Sequence, residues 1–187
     1  MWLDTGHVPT QLLLTMFTPP HWNHKNIKFP EEETDHVISQ LKELPSLKHK
    51  NFTSLHYPGK NPEIIWNDVY GLIIADLLTD VGVYKTSQYS YNYWSQYYTR
   101  NGSHYIHNHF NTANTLSFVH FLKVTDTPLF RFTNLENEYF TPPKQNEGDF
   151  LCFPSWVWHE VIPNESDQER LIVAGNIQIK EMFEYEQ

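Results

Sequence analysis

The chain has 187 residues, 40% of them hydrophobic and 16% aromatic, one domain's length with apolar mass for a sizeable core. That composition excludes a disordered chain, and 7 Gly against 12 Pro leaves no flexible linker. A formal charge of −9 argues against non-specific partners of the nucleic-acid or anionic-membrane kind. No apolar stretch approaches the ~20 residues of a membrane span. The N-terminus lacks the basic and apolar regions of a signal peptide. The one cysteine, Cys152, excludes an internal disulfide and fits a reducing, cytoplasmic setting. It lies in an apolar run, so it reads as buried and inert.

In chain order, Leu12-Leu13-Leu14 and Phe17 suggest an opening strand that Thr18-Pro19-Pro20 ends. His21 and His24 follow in a polar loop and read as surface residues. Pro30 to about Leu44 reads as a helix. Glu31, Glu32 and Glu33 suit the positive end of its dipole, and Val37, Ile38, Leu41 and Leu44 form its apolar face. Asn61-Pro62-Glu63 starts a second helix to about Thr79, with a broad apolar face for lying across a sheet.

From Gln88 the period changes to two, with Tyr89, Tyr91 and Tyr93 alternating with Ser90, Asn92 and Trp94. Arg100-Asn101-Gly102 is a turn, and His104–Phe110, Leu116–Val124, Leu129–Phe132 and Glu138–Phe140 read as strands. Glu147-Gly148 turns into the apolar run Asp149–Phe153, and Pro154-Ser155 breaks it. Trp156–Ile162 alternates again, Pro163–Glu169 is a loop, and Arg170–Ile179 is a closing strand. Helices followed by strands indicate a mostly β antiparallel sandwich with flanking helices on one face. We read residues 1–187 as a single domain. Residues 1–87 give the helical support and leading strand, and 88–180 the strand core.

Chemistry concentrates in the 11 histidines, of which His104, His107, His109, His120 and His159 lie in the second half. On a strand, residues two apart face the same way, so His107 and His109 can converge on one ion. His159, on a later strand, would close one face of that site. Such a facial set, ordinarily two His and one carboxylate, is the pattern of non-heme Fe(II) oxygenases. Arg170 sits on the adjoining strand, and a guanidinium in apolar surroundings wants a carboxylate or phosphate. Plainer roles stand beside these. His159 reads alternatively as a satisfied core histidine, Arg170 as the partner of Glu160 or Glu169, and His104 as an exposed turn residue. His120 reads as packing against a helix, Trp94, Trp156 and Trp158 as structural, and Asn176 as the end of a ladder.

The run Trp94, Tyr97, Gly102, His104, His107-Asn108-His109 and Leu116–Leu122, then Glu147-Gly148-Asp149, Phe153–Trp156, His159, Arg170 and Asn176, resembles the 2-oxoglutarate/Fe(II)-dependent oxygenase superfamily. It is most similar to the small hydroxylases of bacteria and phages. The resemblance spans about residues 88–179. It implies a double-stranded β-helix (a cupin-like jelly roll) with the two N-terminal helices packed on one sheet. It implies Fe(II) on His107, His109 and His159, the far carboxylate of 2-oxoglutarate on Arg170, and ascorbate as reductant. His107, His159 and Arg170 would then be the catalytic set, and a small-molecule or peptidyl substrate would be hydroxylated with release of succinate and CO2.

Two departures from the family pattern carry consequences. His109 stands where most members have Asp or Glu, which leaves the site one charge more positive unless Asp126, Glu136 or Glu138 completes it. Ile172 stands where many members carry Ser. Help for Arg170 therefore has to come from Tyr91, Tyr93, Tyr98 or Asn176, and Tyr98 and Asn176 are the assigned cofactor-binding partners. His104, Trp94 and Tyr93 are assigned to the pocket. The alternatives are a three-His cupin-like metalloprotein without 2-oxoglutarate, and a non-catalytic jelly-roll binding module.

Overall fold

A computed structural model describes residues 17–47, 51–83, 88–110 and 113–181. The elements are β1 (Trp22–Asn23), α1 (Glu31–Lys42), β2 (Asn51–Thr53), a 3-10 helix (Pro62–Trp66), α2 (Asn67–Asp80) and β3 (Gln88–Tyr98). They continue with β4 (His104–His107), β5 (Leu116–Lys123), β6 (Phe130–Thr133), β7 (Tyr139–Phe140), β8 (Phe150–Pro154), β9 (His159–Val161) and β10 (Arg170–Glu181). Two antiparallel sheets result, of order β1-β8-β5-β10-β3-β2 and β4-β9-β6-β7. No helix among the described residues is long and apolar enough to cross a membrane.

The larger sheet is covered on both faces, which explains why its central strands read as near-continuous apolar runs. Along β10, Leu171, Val173 and Ile177 pack with Val37, Leu41, Tyr70, Ile74 and Leu77 of the helices. The alternate residue Ile172 packs with Phe130, Phe132 and Val161 of the smaller sheet. Burying a Leu, Ile or Phe side chain contributes about 1.5–3 kcal/mol each, so both clusters hold the layers together. Gly175 lies in the middle of β10, between β3 and β5, where a Cβ would meet Phe118 Cζ at 2.4 Å and the Asn92 carbonyl at 2.6 Å. Gly175→Ala should therefore lower stability by about 1–3 kcal/mol, the usual range for overpacking, as read from a chemical melt.

Several expectations are corrected here. The N-terminal support is more than two helices: it also includes the edge strands β1 and β2 and a 3-10 helix where the second α-helix was expected to begin. Asn61 makes no side-chain cap there. The expected opening strand at Leu12–Leu14 lies outside the described residues. His24 is not a surface residue: its side chain is enclosed, with Nδ1 2.9 Å from Asp80 and its ring against Phe150. His21 packs on Phe132 and Phe140. β4 stops at His107, and only His159–Val161 of the predicted Trp156–Ile162 strand is extended. The turn after β8 causes that shortening, with the Val157 amide returning to the Pro154 carbonyl at 3.0 Å.

Candidate metal and dicarboxylate site

β4 and β9 pair so that His107 lies directly across from His159. Their rings are 4.2 Å apart, and the ligand nitrogens of His107, His109 and His159 all lie within 4.8 Å of one another. One ion at an ordinary metal–nitrogen distance of about 2.1 Å is within reach of all three after small side-chain torsions. His109 arrives by a different route from the one expected. It lies beyond the end of β4, held by its own amide donating to the Ser155 carbonyl at 2.8 Å. The loop, not strand periodicity, brings it to the other two.

The backbone presets the donor atoms. Nδ1–H of His107 donates to the Tyr105 carbonyl at 2.7 Å, and Nδ1–H of His159 to the Val157 carbonyl at 2.9 Å. A carbonyl can only accept, so both imidazoles present Nε2 with its lone pair, the usual outer-shell arrangement of a metal-binding histidine. Burial lowers the pKa of all three. His109 falls to about 4, helped by His107, and His159 falls well below the ordinary range. The set is therefore neutral and ready for a cation at pH 7. His159 is wedged between the rings of Phe153 and Phe130, at 4.9 and 5.6 Å.

Arg170 is buried on the face of β10 that carries Ile172, opposite Tyr98 of β3. Its Cζ lies 5.1 Å from the Tyr98 ring centre and 5.7 Å from that of Phe121, while Nη1 and Nη2 have no hydrogen-bond partner. Glu160 and Glu169, the plainer partners, are engaged elsewhere. Glu160 binds Arg131 at 2.7 Å, and Glu169 is held by Tyr97, Lys42 and Lys123. Burial pushes the pKa of Arg170 down, against the opposing influence of Tyr98. A buried guanidinium with two unpaired nitrogens is costly until an anion meets it. A terminal carboxylate matches its fork. Fe(II) and 2-oxoglutarate therefore fit the residues present: three neutral imidazoles for the ion and one unsatisfied cation for the diacid.

The remaining assigned residues divide. Trp94 lines the site with its ring centre 6.4 Å from His109, and its buried Nε1–H has no partner. His104 also lines it, stacked on His107 at 4.3 Å, so it is no mere turn residue. Tyr98 is at the site, donating its hydroxyl hydrogen to Gln96. Tyr93 is not. It faces the helices, its ring tilted against Tyr70 at 4.6 Å and its hydroxyl bonded to Asn67, because odd-numbered residues of β3 point away from Trp94, Gln96 and Tyr98. Asn176 is also misassigned. It accepts from Ser117 Oγ at 2.8 Å, and six steps along the strand, about 20 Å at about 3.3 Å each, separate it from Arg170. Asp126 and Glu138 bond Gln168 and Asn134, and the triad is the one such ligand group among the described residues. Gln96 was missed, although its parity with Trp94 and Tyr98 marks it.

His120 packs against helix α2, as expected, with Nδ1 2.8 Å from Tyr70 Oη and Nε2 2.7 Å from the Ile27 carbonyl. Burial lowers its pKa to about 4. His109, His120 and His159 therefore bind fewer protons folded than unfolded as the pH falls below about 6.5. The sign follows: metal-free protein keeps full stability above that pH and loses it toward pH 4. At about 1.4 kcal/mol per pKa unit, His120 alone accounts for on the order of 3 kcal/mol, and thermal melts across this window will read the loss.

Three neutral nitrogens and a buried, unmet guanidinium inside a two-sheet β protein are donors that would suit a metal ion and a carboxylate. Residues 127–176, which include His159 and Arg170, match the family described as "Putative 2OG-Fe(II) oxygenase". The chain is similar to a Pseudomonas putida prolyl-4-hydroxylase at 14% identity and TM-score 0.59, over 88% of this chain and 95% of that one. It is similar to HygX from Streptomyces hygroscopicus, solved with nickel and 2-oxoglutarate, at 10% identity and TM-score 0.62, over 86% and 83%. A viral collagen prolyl hydroxylase from Paramecium bursaria Chlorella virus-1 gives 12% and 0.56, over 86% and 96%. No curated protein matches the sequence. The family match over residues 127–176 and the fold-level similarity thus both point to 2-oxoglutarate/Fe(II)-dependent oxygenases.

Proposed function

We propose that His107, His109 and His159 hold Fe(II) and that Arg170 grips the far carboxylate of 2-oxoglutarate, for hydroxylation of a peptidyl side chain or an apolar small molecule. The observation that carries this reading is the buried Arg170 fork, whose Nη1 and Nη2 have no hydrogen-bond partner, packed on Tyr98, which lines the imidazole pocket. When bound, the iron and 2-oxoglutarate supply dioxygen activation coupled to release of succinate and CO2. The chain supplies the rest. The Tyr105 and Val157 carbonyls hold two imidazoles in the Nε2-ligating tautomer, and Arg170 fixes the diacid end-on. Phe130, Phe153, Val119 and Ile172 keep water out, and Trp94 Nε1–H offers one hydrogen bond inside the site.

The space among these residues is about 30 Å³, enough for an ion or a water or two but not for a five-carbon diacid. Entry of 2-oxoglutarate accordingly opens the Tyr98–Gln96 contact toward Arg170. Large apolar side chains border the ligands in sequence: Tyr105 is 66% exposed, Phe110 70%, Trp156 51% and Trp158 38%. That exposure replaces the structural role first assigned to Trp156 and Trp158, and it supports a substrate with apolar or polypeptide surface. The same reading takes the two sheets as a double-stranded β-helix, the chain as one domain, and the setting as cytoplasmic.

The test is succinate release from 2-oxoglutarate with Fe(II) and ascorbate, screened over amino acids, peptides and nucleosides. We expect a peptide or apolar substrate to raise the rate above uncoupled turnover. An anaerobic protein that binds neither Fe(II) nor 2-oxoglutarate would overturn the proposal. The all-imidazole ligand set also favours a second reading, a cupin-like enzyme that leaves 2-oxoglutarate unused. Metal bound tightly with no effect of 2-oxoglutarate would establish it.

A further inference from the structure

Behind β3, on the face turned from the imidazoles, lies a cavity of about 550 Å³. That volume is ordinary for a small-molecule site. The 3-10 helix, the start of α2 and the odd-numbered face of β3 border it, with Glu63, Asn61, Asn67, Tyr91 and Tyr93 on its walls. Glu63 is 1% exposed. Its Oε1 accepts from Ser54 Oγ at 2.7 Å, and that hydroxyl in turn accepts the Ser95 amide at 3.1 Å. The carboxylate is thus held from the sheet side. Its other oxygen, Oε2, is buried and has no hydrogen-bond partner. A carboxylate half-satisfied in this way calls for a donor, preferably a charged one.

The walls specify which donor. No Lys, Arg or His is among the described residues lining the cavity. Anions are disfavoured by Glu63. A hard metal ion would need more charged oxygens than one carboxylate provides, and the chain gathers three metal-ligating side chains only at the histidine triad among the described residues. The rings of Tyr91 and Tyr93 are stacked at 6.3 Å with an interplanar angle of 19°. Tyrosine faces attract ammonium groups, and the Tyr93 hydroxyl, raised by burial to about 12, stays un-ionised near neutrality. Asn61 and Asn67 add amide oxygens at the rim.

We propose that this cavity is a second binding site, taking an ammonium group on a short apolar stem, with Glu63 Oε2 as its counter-ion and Tyr91 and Tyr93 as its walls. β3 is common to both sites: Tyr93 lines this one, and its neighbour Trp94 lines the imidazole pocket. The proposal does not depend on which reaction that pocket performs.

Ligand-observed NMR titration of the whole chain with putrescine and Nα-acetyl-lysinamide, with butanol and butyrate as controls, tests it. Both amines should saturate, and both controls should fail to bind. Preference for putrescine identifies a free amine as the ligand, and preference for acetyl-lysinamide identifies a lysyl side chain. Glu63→Gln keeps the shape and the Ser54 contact while removing the charge. It should weaken amine binding about tenfold or more, leaving 2-oxoglutarate affinity unchanged. Should Glu63→Gln fail to fold, Tyr91→Leu, at a partly exposed position, should weaken binding about fivefold or more through loss of the ring face. Failure of either amine to saturate the native protein overturns the proposal, as does unchanged affinity in the folded variant.

Discussion

Replacing Arg170 with Met is expected to raise the concentration of 2-oxoglutarate needed for half-saturation at least a hundredfold, while making the ligand-free protein harder to melt. The first effect follows from losing a two-pronged, charge-assisted pair, each bond of which contributes about 1.5–3 kcal/mol. The second follows from the native burial of Nη1 and Nη2 without partners. Methionine fills the same volume beside Tyr98 and Phe121 and carries no charge to desolvate. The two signs move in opposite directions, so a merely structural arginine cannot imitate the result. Calorimetric titration of 2-oxoglutarate and a melt without it measure both. Unchanged 2-oxoglutarate affinity would remove Arg170 from the site.

His159→Ala is expected to abolish stoichiometric Fe(II) binding. The loss should exceed the 10–100-fold typical of removing an outer-shell partner, because an inner ligand is lost. The variant should also melt earlier, since a ring packed on Phe130 and Phe153 is removed and a cavity is left. His109→Asp separates the two effects. It restores the commoner two-His, one-carboxylate set and should keep the metal, with the site one charge less positive. Equilibrium dialysis against Fe(II) under anaerobic conditions reads both variants. Retention of full metal affinity in His159→Ala would sink the assignment of His159 as a ligand.

What the sequence made legible was set by strand periodicity. His107 and His159 were identifiable as a pair because both sit on strands, where spacing fixes direction, and the observed register puts them face to face. The same rule, applied to β3, separates Trp94, Gln96 and Tyr98 from Tyr91 and Tyr93, and the assignment of Tyr93 to the pocket neglected it. Asn176 shares a face with Arg170, but length along the strand, not direction, excludes it. Loops were harder to read. His109 reaches the triad through a backbone bond to Ser155, and no local pattern announces a contact 46 residues away. Trp156 and Trp158 looked like core residues by composition, yet the tight turn between Pro154 and His159 turns them outward.

Cys152, buried in the helix-side core and flanked by strands β1 and β5, has one more consequence. Burial pushes its thiol up to about 12, so almost none of it is thiolate at neutral pH. The softest nucleophile of the chain is thereby sealed away from solvent-borne electrophiles. Alkylating reagents should therefore leave the native protein untouched and capture it only when the sheet opens. The lone thiol thus serves as a chemical clock for global unfolding.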